Sequence, residues 1–342
     1  MLPDPERIEQ AAALLRAGEL VAFPTETVYG LGADAANPAA VAKIFAAKGR
    51  PAGHPLIVHL SGLAATQAWA RALPAEARRL AEAFWPGPLT LVLPKAERVS
   101  PVITGGQDTV ALRAPAHPIA RALLAAFGGG IAAPSANRYG RISPTRAGDV
   151  REELGDAVAL VLDGGACEVG LESTIVACPG GSVTLLRPGA VSRSQLVDVV
   201  GCVLDADAAS PRAPGRVRSH YAPRTPLALL DRAALAAEVA RARTAGSRIA
   251  VMARGDPVAD VPASAWRRMP DSPSDYARVL YAELRELDRA GVTRILVESV
   301  PDSEAWAAIA DRLARAAAAG DNRGVDARGA HGRGAEDVPE AP

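Results

Sequence analysis

LVAFPTETVYGLG (residues 20–32) decides how this sequence is read. Residues 20–23 form a short apolar run closed by proline, the pattern of a buried strand. The segment after it, residues 24–32, reads as a loop with two threonine hydroxyls, a tyrosine and two glycines. Glycine permits close backbone approach or a positive φ. The loop could satisfy its own backbone through its hydroxyls, or it could offer them to a small ligand. The residues alone leave both readings open.

Outward from this stretch, residues 5–17 read as an amphipathic helix stopped by Gly18. Residues 38–48 read as a helix with Pro38 in its first turn and Gly49 just past its end. Strands are expected at 56–60, 89–93, 109–112, 130–133, 158–162, 173–176 and 183–186. Helices are expected at 75–84, halted by Trp85-Pro-Gly-Pro88, and at 192–200. Alternation of this kind predicts α/β layers. At residues 204–226 the composition turns to proline, alanine and charge, which reads as a linker. A second unit follows, with strands at 227–230, 248–252 and 295–300 and helices at 233–243, 274–290 and 305–318. That repeated strand–helix pattern predicts a compact parallel sheet. The expected organisation is therefore 1–203, a linker at 204–226, a smaller α/β domain at 227–319 and a disordered tail at 320–342.

Bulk properties narrow the function. The 342 residues suit two domains, and 49% of them are hydrophobic, enough for real cores. Lysine plus arginine equals aspartate plus glutamate, 38 against 38, so no overall basic field draws in nucleic acid. Three scattered cysteines, Cys167, Cys178 and Cys202, do not make a disulfide framework or a zinc site. No run reaches the length of a membrane span, and residues 1–10 carry acidic groups without a signal-like apolar core. The cytoplasm is the expected compartment, and no resident metal is expected.

Several short motifs can carry chemistry. Lys48-Gly-Arg-Pro51 is either a helix cap with basic residues on the dipole or a phosphate-holding pair. Pro134-Ser-Ala-Asn137 follows an apolar strand, so Ser135 and Asn137 face one side at a carboxyl end where such sheets bind ligands. The alternative is a turn, with Asn137 left-handed. Arg187, before Pro188-Gly189, is an anion clamp or a solvated turn. Arg113 ends an apolar strand, where a guanidinium needs an anion or water. His59 lies within LIVHL, as a satisfied core residue or a neutral donor to substrate. GxxxxGK[ST], GxGxxG, HExxH and GxSxG do not occur, and Glu172-Ser173 has no evident triad partners.

Taken in order, PTETVYGLG, KGRP with PLIVH, FWPGPLTLVL, VALRAPAHP, APSANRYGRISPT, LESTI and LLRPGA resemble the YrdC-type family of L-threonylcarbamoyladenylate synthases. PGRVRSHYAP, YAELRELD, ILVESVP and AIADRLARAA resemble the linker and carboxyl-terminal domain of that family's longer branch. The resemblance implies a YrdC-like twisted open sheet with flanking helices, followed by a smaller parallel, Rossmann-like α/β domain. It implies a nucleotidyltransferase that joins L-threonine, bicarbonate and ATP, with Mg²⁺ held through the phosphates. Its product would pass to a separate tRNA threonylcarbamoyl transferase complex, with tRNA contact weak or indirect.

By the same resemblance Lys48, Arg50, Ser135 and Asn137 form the reacting cluster. Threonine would meet Thr27, His59, Arg113, Ala133 and Ser173. ATP would meet Arg50, His54, Thr109, Ser135, Ser143 and Arg187, with His220 and Tyr221 reaching in from the linker. Two departures stand out: His54 replaces a frequent asparagine, and residues 216–219 replace the usual middle of the linker. The competing reading is an RNA-binding module of this fold without turnover, which would bind tRNA in a salt-sensitive way. A carbamoyl transferase of hydrogenase maturation is disfavoured by the lack of zinc-finger cysteines.

Overall fold

The computed structural model describes residues 3–215, 220–257 and 265–329, with side chains to residue 318. The linker positions 216–219 lie outside the described residues, as do 330–342 of the expected tail. The chain opens with α1 (Pro5–Arg16), β1 (Val21–Pro24), β2 (Tyr29–Asp34), α2 (Pro38–Lys48), β3 (Ile57–His59), α3 (Ala75–Phe84) and β4 (Leu89–Pro94). Next come α4 (Pro101–Thr104), β5 (Thr109–Arg113), α5 (Pro118–Phe127), β6 (Ile131–Ala132), α6 (Ala147–Leu154) and β7 (Leu160–Val161). This part ends with β8 (Thr174–Ala177), β9 (Thr184–Arg187), α7 (Arg193–Val200) and β10 (Leu204–Asp205). The remainder holds β11 (Leu227–Leu230), α8 (Arg232–Thr244), β12 (Ile249–Ala253), β13 (Trp266–Arg268), α9 (Pro273–Arg289), β14 (Arg294–Glu298) and α10 (Ala307–Gly329). α10 thus continues past residue 320, into the segment read as a tail.

Among the described residues the strands make two sheets. The larger is a ten-stranded mixed sheet in the order β10-β9-β8-β4-β5-β3-β6-β2-β1-β7. The smaller, β11-β14-β12-β13, is parallel throughout, as the repeated strand–helix pattern predicts. Residues read as loop in PTETVYGLG belong partly to β2. Its glycines are inside the strand because side chains would collide there. A Cβ at Gly32 would stand 2.8 Å from Phe23 and 2.9 Å from Ile131, on the neighbouring strands β1 and β6. The edge strands β10 and β13, and the helices α5 and α6, also go beyond the sequence reading.

Period-two alternation sorts the large sheet's faces. Val58, Leu91, Leu93, Val110, Leu112 and Val176 join the main core with α2 and α3. Ile57, Val92, Ala111, Ile175 and Ala177 point the other way, and linker residue Ala213 covers them. β3 and β5 run parallel with His59 opposite Arg113, so both polar side chains arrive side by side on that second face. α1 and α5 pack on β1 and β6 through Leu15, Phe23, Leu123 and Ile131.

The two sheets share packing. Val28, Ile142, Leu171 and Tyr221 join Tyr276, Leu280, Tyr281 and Leu284 in one buried cluster. At Gly170 a Cβ would stand 2.6 Å from the backbone of α9, which fixes how near that helix comes. A buried ion network adds direction to this contact. Arg285 of α9 pairs with Glu153 of α6 at 3.2 Å and donates to the Ile142 carbonyl. Arg289 pairs with Asp149 at 3.0 Å, and Asp288 pairs with Arg141 at 3.3 Å. Asp288 also accepts from the backbone N–H groups of Arg224 and Thr225, at 2.9 and 2.7 Å, tying down the linker's far end.

Removing one partner of a buried ion pair leaves an uncompensated charge. Arg285→Met is therefore expected to destabilise the chain by about 3 kcal/mol or more in chemical denaturation. A change within about 0.5 kcal/mol would show that apolar packing alone docks α9.

Candidate functional site

The second face of the large sheet and the linker enclose a cleft with about 570 Å³ of open space, part of it continuous with solvent. Four local devices build its walls. The first is the turn after β1. Thr25 accepts from the N–H groups of Thr27 and Val28, both at 3.2 Å, and donates to the Val28 carbonyl at 2.7 Å. Thr25 is the self-satisfying hydroxyl of the loop; Thr27 is turned into the cleft.

The second device is the pair His59 and Arg113. Arg113 is 3% exposed and has its anion within the chain: Glu26, at 2.6 Å. It also donates to Thr27 Oγ1 at 2.8 Å and to the Gly87 carbonyl at 3.2 Å. Those three bonds leave one N–H free on each terminal nitrogen. Glu26 is the partner of Arg113 that the sequence reading did not select, although it stands inside the loop that was singled out. Burial opposes its charge, but the Arg113 guanidinium outweighs that and holds the carboxyl below its ordinary range.

The third device is the loop after β6. Ser135 bridges Gly30, and Leu31 N–H donates to the Pro134 carbonyl at 2.8 Å. Lys48 reaches this loop from the end of α2, where Asn37 caps the start and Gly49 (φ 61°) turns the chain out. The Lys48 ammonium donates to the carbonyls of Ser135 and Asn137, each at 2.5 Å. The left-handed Gly49 then carries Arg50 to the cleft wall. Its guanidinium donates to the Pro55 carbonyl at 3.0 Å and lies 5.7 Å from the Tyr139 ring centre.

The fourth device joins β8, β9 and the linker. Arg187 is buried and donates to the Ser173 carbonyl at 2.9 Å, to Ser173 Oγ at 3.2 Å and to the linker carbonyl of Pro214 at 3.1 Å. A solvated turn is thereby ruled out for Arg187. His54, Tyr139, His220 and Tyr221 form a chain of edge-on ring contacts, with centroids 5.4, 5.8 and 4.2 Å apart. Tyr139 is a second residue that the sequence reading quoted but did not select.

The residues singled out from the sequence thus fall into groups. Thr27, Arg50, His59, Arg113, Ala133, Ser135, Ser173, Arg187, His220 and Tyr221 all line the cleft. Lys48 and Asn137 stand behind that lining and hold the loop. His54 reaches it only through Tyr139. Ser143 spends its hydroxyl on Glu172, at 2.5 Å. Thr109 sits at the far end of β5 from Arg113, opposite Pro94, and the structure does not bring it to the cleft.

Charge is the distinctive property of this space. Among the described residues Lys48, Arg50 and Arg187 have no carboxylate within ion-pairing distance, yet they are 3%, 8% and 3% exposed. Burial lowers all three from their ordinary values, Arg50 to about 10, and Arg50 lowers Lys48 further. Burial also drives His59 and His220 down to about 3, so both are neutral near pH 7. Buried polar atoms without a partner gather here: Arg50 Nε, His59 Nδ1, Asn137 Oδ1, His220 Nδ1 and Tyr221 Oη. Such groups cost stability unless a ligand meets them. The site can hold a strongly anionic molecule next to neutral hydrogen-bonding groups. Among the described residues no cluster of three or more histidine, cysteine or carboxylate side chains could hold a metal ion, and no helix is long and apolar enough to cross a membrane.

Known proteins resemble this chain along most of its length. A family model described as "Telomere recombination" (Sua5/YciO/YrdC) matches residues 13–189, and one described as "Threonylcarbamoyl-AMP synthase, C-terminal domain" matches residues 191–318. A threonylcarbamoyl-AMP synthase of Pyrococcus abyssi is 41% identical over 328 residues, which cover 91% of this chain and 95% of its own. One from Bacillus subtilis is 42% identical over 326 residues, covering 92% and 93%. A crystal structure of the P. abyssi Sua5 protein complexed with L-threonine superposes with a TM-score of 0.87 at 39% identity, covering 93% of this chain and 96% of that one. With both parts matched and more than nine-tenths of its length shared, the chain belongs to the threonylcarbamoyl-AMP synthase family, in the branch that carries a YrdC-type domain and a Sua5 carboxyl-terminal domain.

Proposed function

We propose that this chain condenses L-threonine, bicarbonate and ATP into threonylcarbamoyl-AMP, releasing pyrophosphate. One observation carries the reading beyond family membership. Arg50 and Arg187 line the cleft and Lys48 stands behind it, all three buried without a carboxylate within ion-pairing distance, and an ATP triphosphate with an incoming carboxylate supplies the missing charge. Preorganised cations in a water-poor cleft stabilise such a meeting of anions far better than water does.

The residues divide the work. Threonine takes the end of the cleft beside Thr27, His59, Arg113, the Ala133 backbone and Ser173. The two free N–H groups of Arg113 suit its carboxylate, while Glu26 keeps the guanidinium aimed. Arg50, Ser135, Arg187, His220 and Tyr221 face the nucleotide, and His54 and Tyr139 support them. Lys48 holds the Ser135–Asn137 carbonyls and adds positive potential behind the phosphates. Mg²⁺ has few carboxylates to meet here, since Glu26 and Glu172 are taken by arginines; it fits best as an ion carried on the phosphate oxygens. We place Thr109 and Ser143 outside the direct ATP contacts.

Threonine's amine, once deprotonated, attacks bicarbonate-derived CO₂ and gives N-carboxythreonine. That carboxylate attacks the α-phosphorus, and the bond to pyrophosphate breaks. The mixed anhydride formed is labile in water, so the linker over the cleft protects it. A separate transferase acting on tRNA would consume it, since the near-zero net charge gives this chain no field for gripping RNA.

Pyrophosphate release from ATP that requires both threonine and bicarbonate tests the reading; salt-sensitive tRNA binding without turnover would favour the RNA-binding alternative. Arg50→Ala should lower kcat/KM for ATP on the order of 100-fold or more. Arg113→Lys should act instead on threonine, raising its KM about tenfold or more because the planar fork is lost. Full activity in either variant contradicts the assignment. The pH profile follows from the neutral imidazoles. Both histidines sit far below their ordinary value, so neither titrates between about pH 6 and 9. kcat/KM for threonine should therefore rise with pH as the free amine becomes available. An inflection near 6.5 that His220→Gln abolishes would show that the imidazole charges after all.

A further inference from the structure

Tyr221 has a φ of 63°, and among the described residues no other non-glycine residue has a positive φ. A bulky side chain in the left-handed region is strained, and such strain persists only where the surroundings enforce it. Here α9 and α10 enforce it. The Arg312 guanidinium lies 5.1 Å from the centre of the Tyr221 ring. Tyr281 stacks on the same ring with centroids 5.9 Å apart and planes 26° apart. The Arg315 carbonyl accepts from the His220 N–H at 3.4 Å, gripping the preceding residue by its backbone. From the linker side, Gly215 closes the seat: its φ is +78°, and any Cβ would fall on Tyr221 Oη.

The same two helices meet the cleft wall at Glu172. Its Oε2 accepts from Tyr281 Oη and from Arg312 Nε, both at 2.9 Å, while Oε1 accepts from Ser143. Arg312 also donates to the Pro188 carbonyl at 3.0 Å, immediately after Arg187, and pairs with Asp311 at 2.6 Å. At 1% exposure it is wholly inside the molecule. An arginine serving only to dock two domains would have no need of the cleft wall. This one contacts Glu172, Pro188 and Tyr221 together, and two of those three line the cleft. Neither Arg312 nor Tyr281 lines it.

We infer that Arg312 and Tyr281 are positioning residues: the carboxyl-terminal helices hold Glu172 and Tyr221 in the geometry that the nucleotide meets. This rests on the synthase reading above. It gives the second sheet and its helices a part in catalysis chiefly at the nucleotide end of the cleft. Most of the threonine end is built differently. Thr27, His59 and Arg113 are held by the turn after β1, by β3 and by β5, with Glu26 as the anion of Arg113, and only Ser173, next to Glu172 and bonded by Arg187, adjoins the Arg312 network. The two ends should therefore respond separately.

The test uses the full chain and two measurements: pyrophosphate release over a range of ATP, and threonine affinity by calorimetry without ATP. Arg312→Met is expected to lower kcat/KM for ATP about 100-fold, as a misplaced site does. Threonine Kd should change by no more than about threefold, since Ser173 is the single threonine-facing residue that adjoins this network. Arg312→Lys, which keeps the charge but not the fork, should recover only part of the loss. Wild-type kcat/KM for ATP in Arg312→Met, or an equal loss of threonine affinity, overturns the inference. Should Arg312→Met fail to fold, Tyr281→Phe decides, because it keeps the ring stack and removes only the bond to Glu172. About a fivefold fall in kcat/KM for ATP is expected from that single bond, and an unchanged value overturns the inference. A wild-type chain with no threonine-dependent turnover overturns the synthase reading and this inference with it. An active wild type with unaffected variants overturns this inference alone.

Discussion

Three cations are buried around one cleft with no carboxylate in contact, and most of the surrounding structure serves to keep them there. Lys48, Arg50 and Arg187 lose hydration on folding and receive carbonyl oxygens in return. Carbonyls satisfy some of the donors, Arg50 Nε remaining without a partner, and they do not cancel the charge, so the interior stays electropositive. The chain does own buried carboxylates, but it commits them elsewhere: Glu26 to Arg113 and Glu172 to Arg312. Had either stood beside Arg50, the site would be electrically satisfied and a poor host for phosphate. The pairing pattern thus separates cations that aim other groups from cations left for a ligand.

How much of this could be read from the sequence depends on the range of the interactions. α2 was legible because its signals are local: Pro38 in the first turn, Gly49 after the last. The parallel character of the second sheet was legible because strand and helix alternate there. β2 was not, because Gly30 and Gly32 look like loop residues until Phe23, Ile131 and Ala133 are known to press on them. α5 had usable signals that the sequence reading passed over: a capping His117 before Pro118, Ile119, Ala120, Leu123 and Leu124 on one helical face, and a left-handed Gly128 at its end. The partner of Arg113 shows the same limit. A guanidinium at a strand end announces that it needs an anion, but Glu26 lies far away in sequence, and the turn after β1 brings it to the end of β5 although three strands separate β1 from β5 in the sheet.

The site residues divide the same way. Ser135 and Arg50 were found by order and spacing of blocks, and the fold places both on the cleft. Lys48 was read as a phosphate cation, while the structure gives its ammonium two backbone carbonyls. A helix-end lysine can do either, and only the path of the loop at Ser135–Asn137 decides. Tyr139 and Glu172 lie within quoted blocks, APSANRYGRISPT and LESTI, but were not selected there. Their roles come from what lands on them: Arg50 and two histidines around the one, Arg312, Tyr281 and Ser143 around the other.

The linker connects these observations. It leaves the large sheet, covers its second face with Ala213, offers the Pro214 carbonyl to Arg187 and ends tied to Asp288 of α9. Beyond those anchors Tyr221 lines the same cleft with a left-handed backbone that is unfavourable in isolation and is held by stacking on Tyr281 and by the Arg312 guanidinium. Both sheets therefore contribute to one wall: the large sheet carries Arg187 at the end of β9, and the helices of the small sheet hold the linker residue that lines the cleft with it.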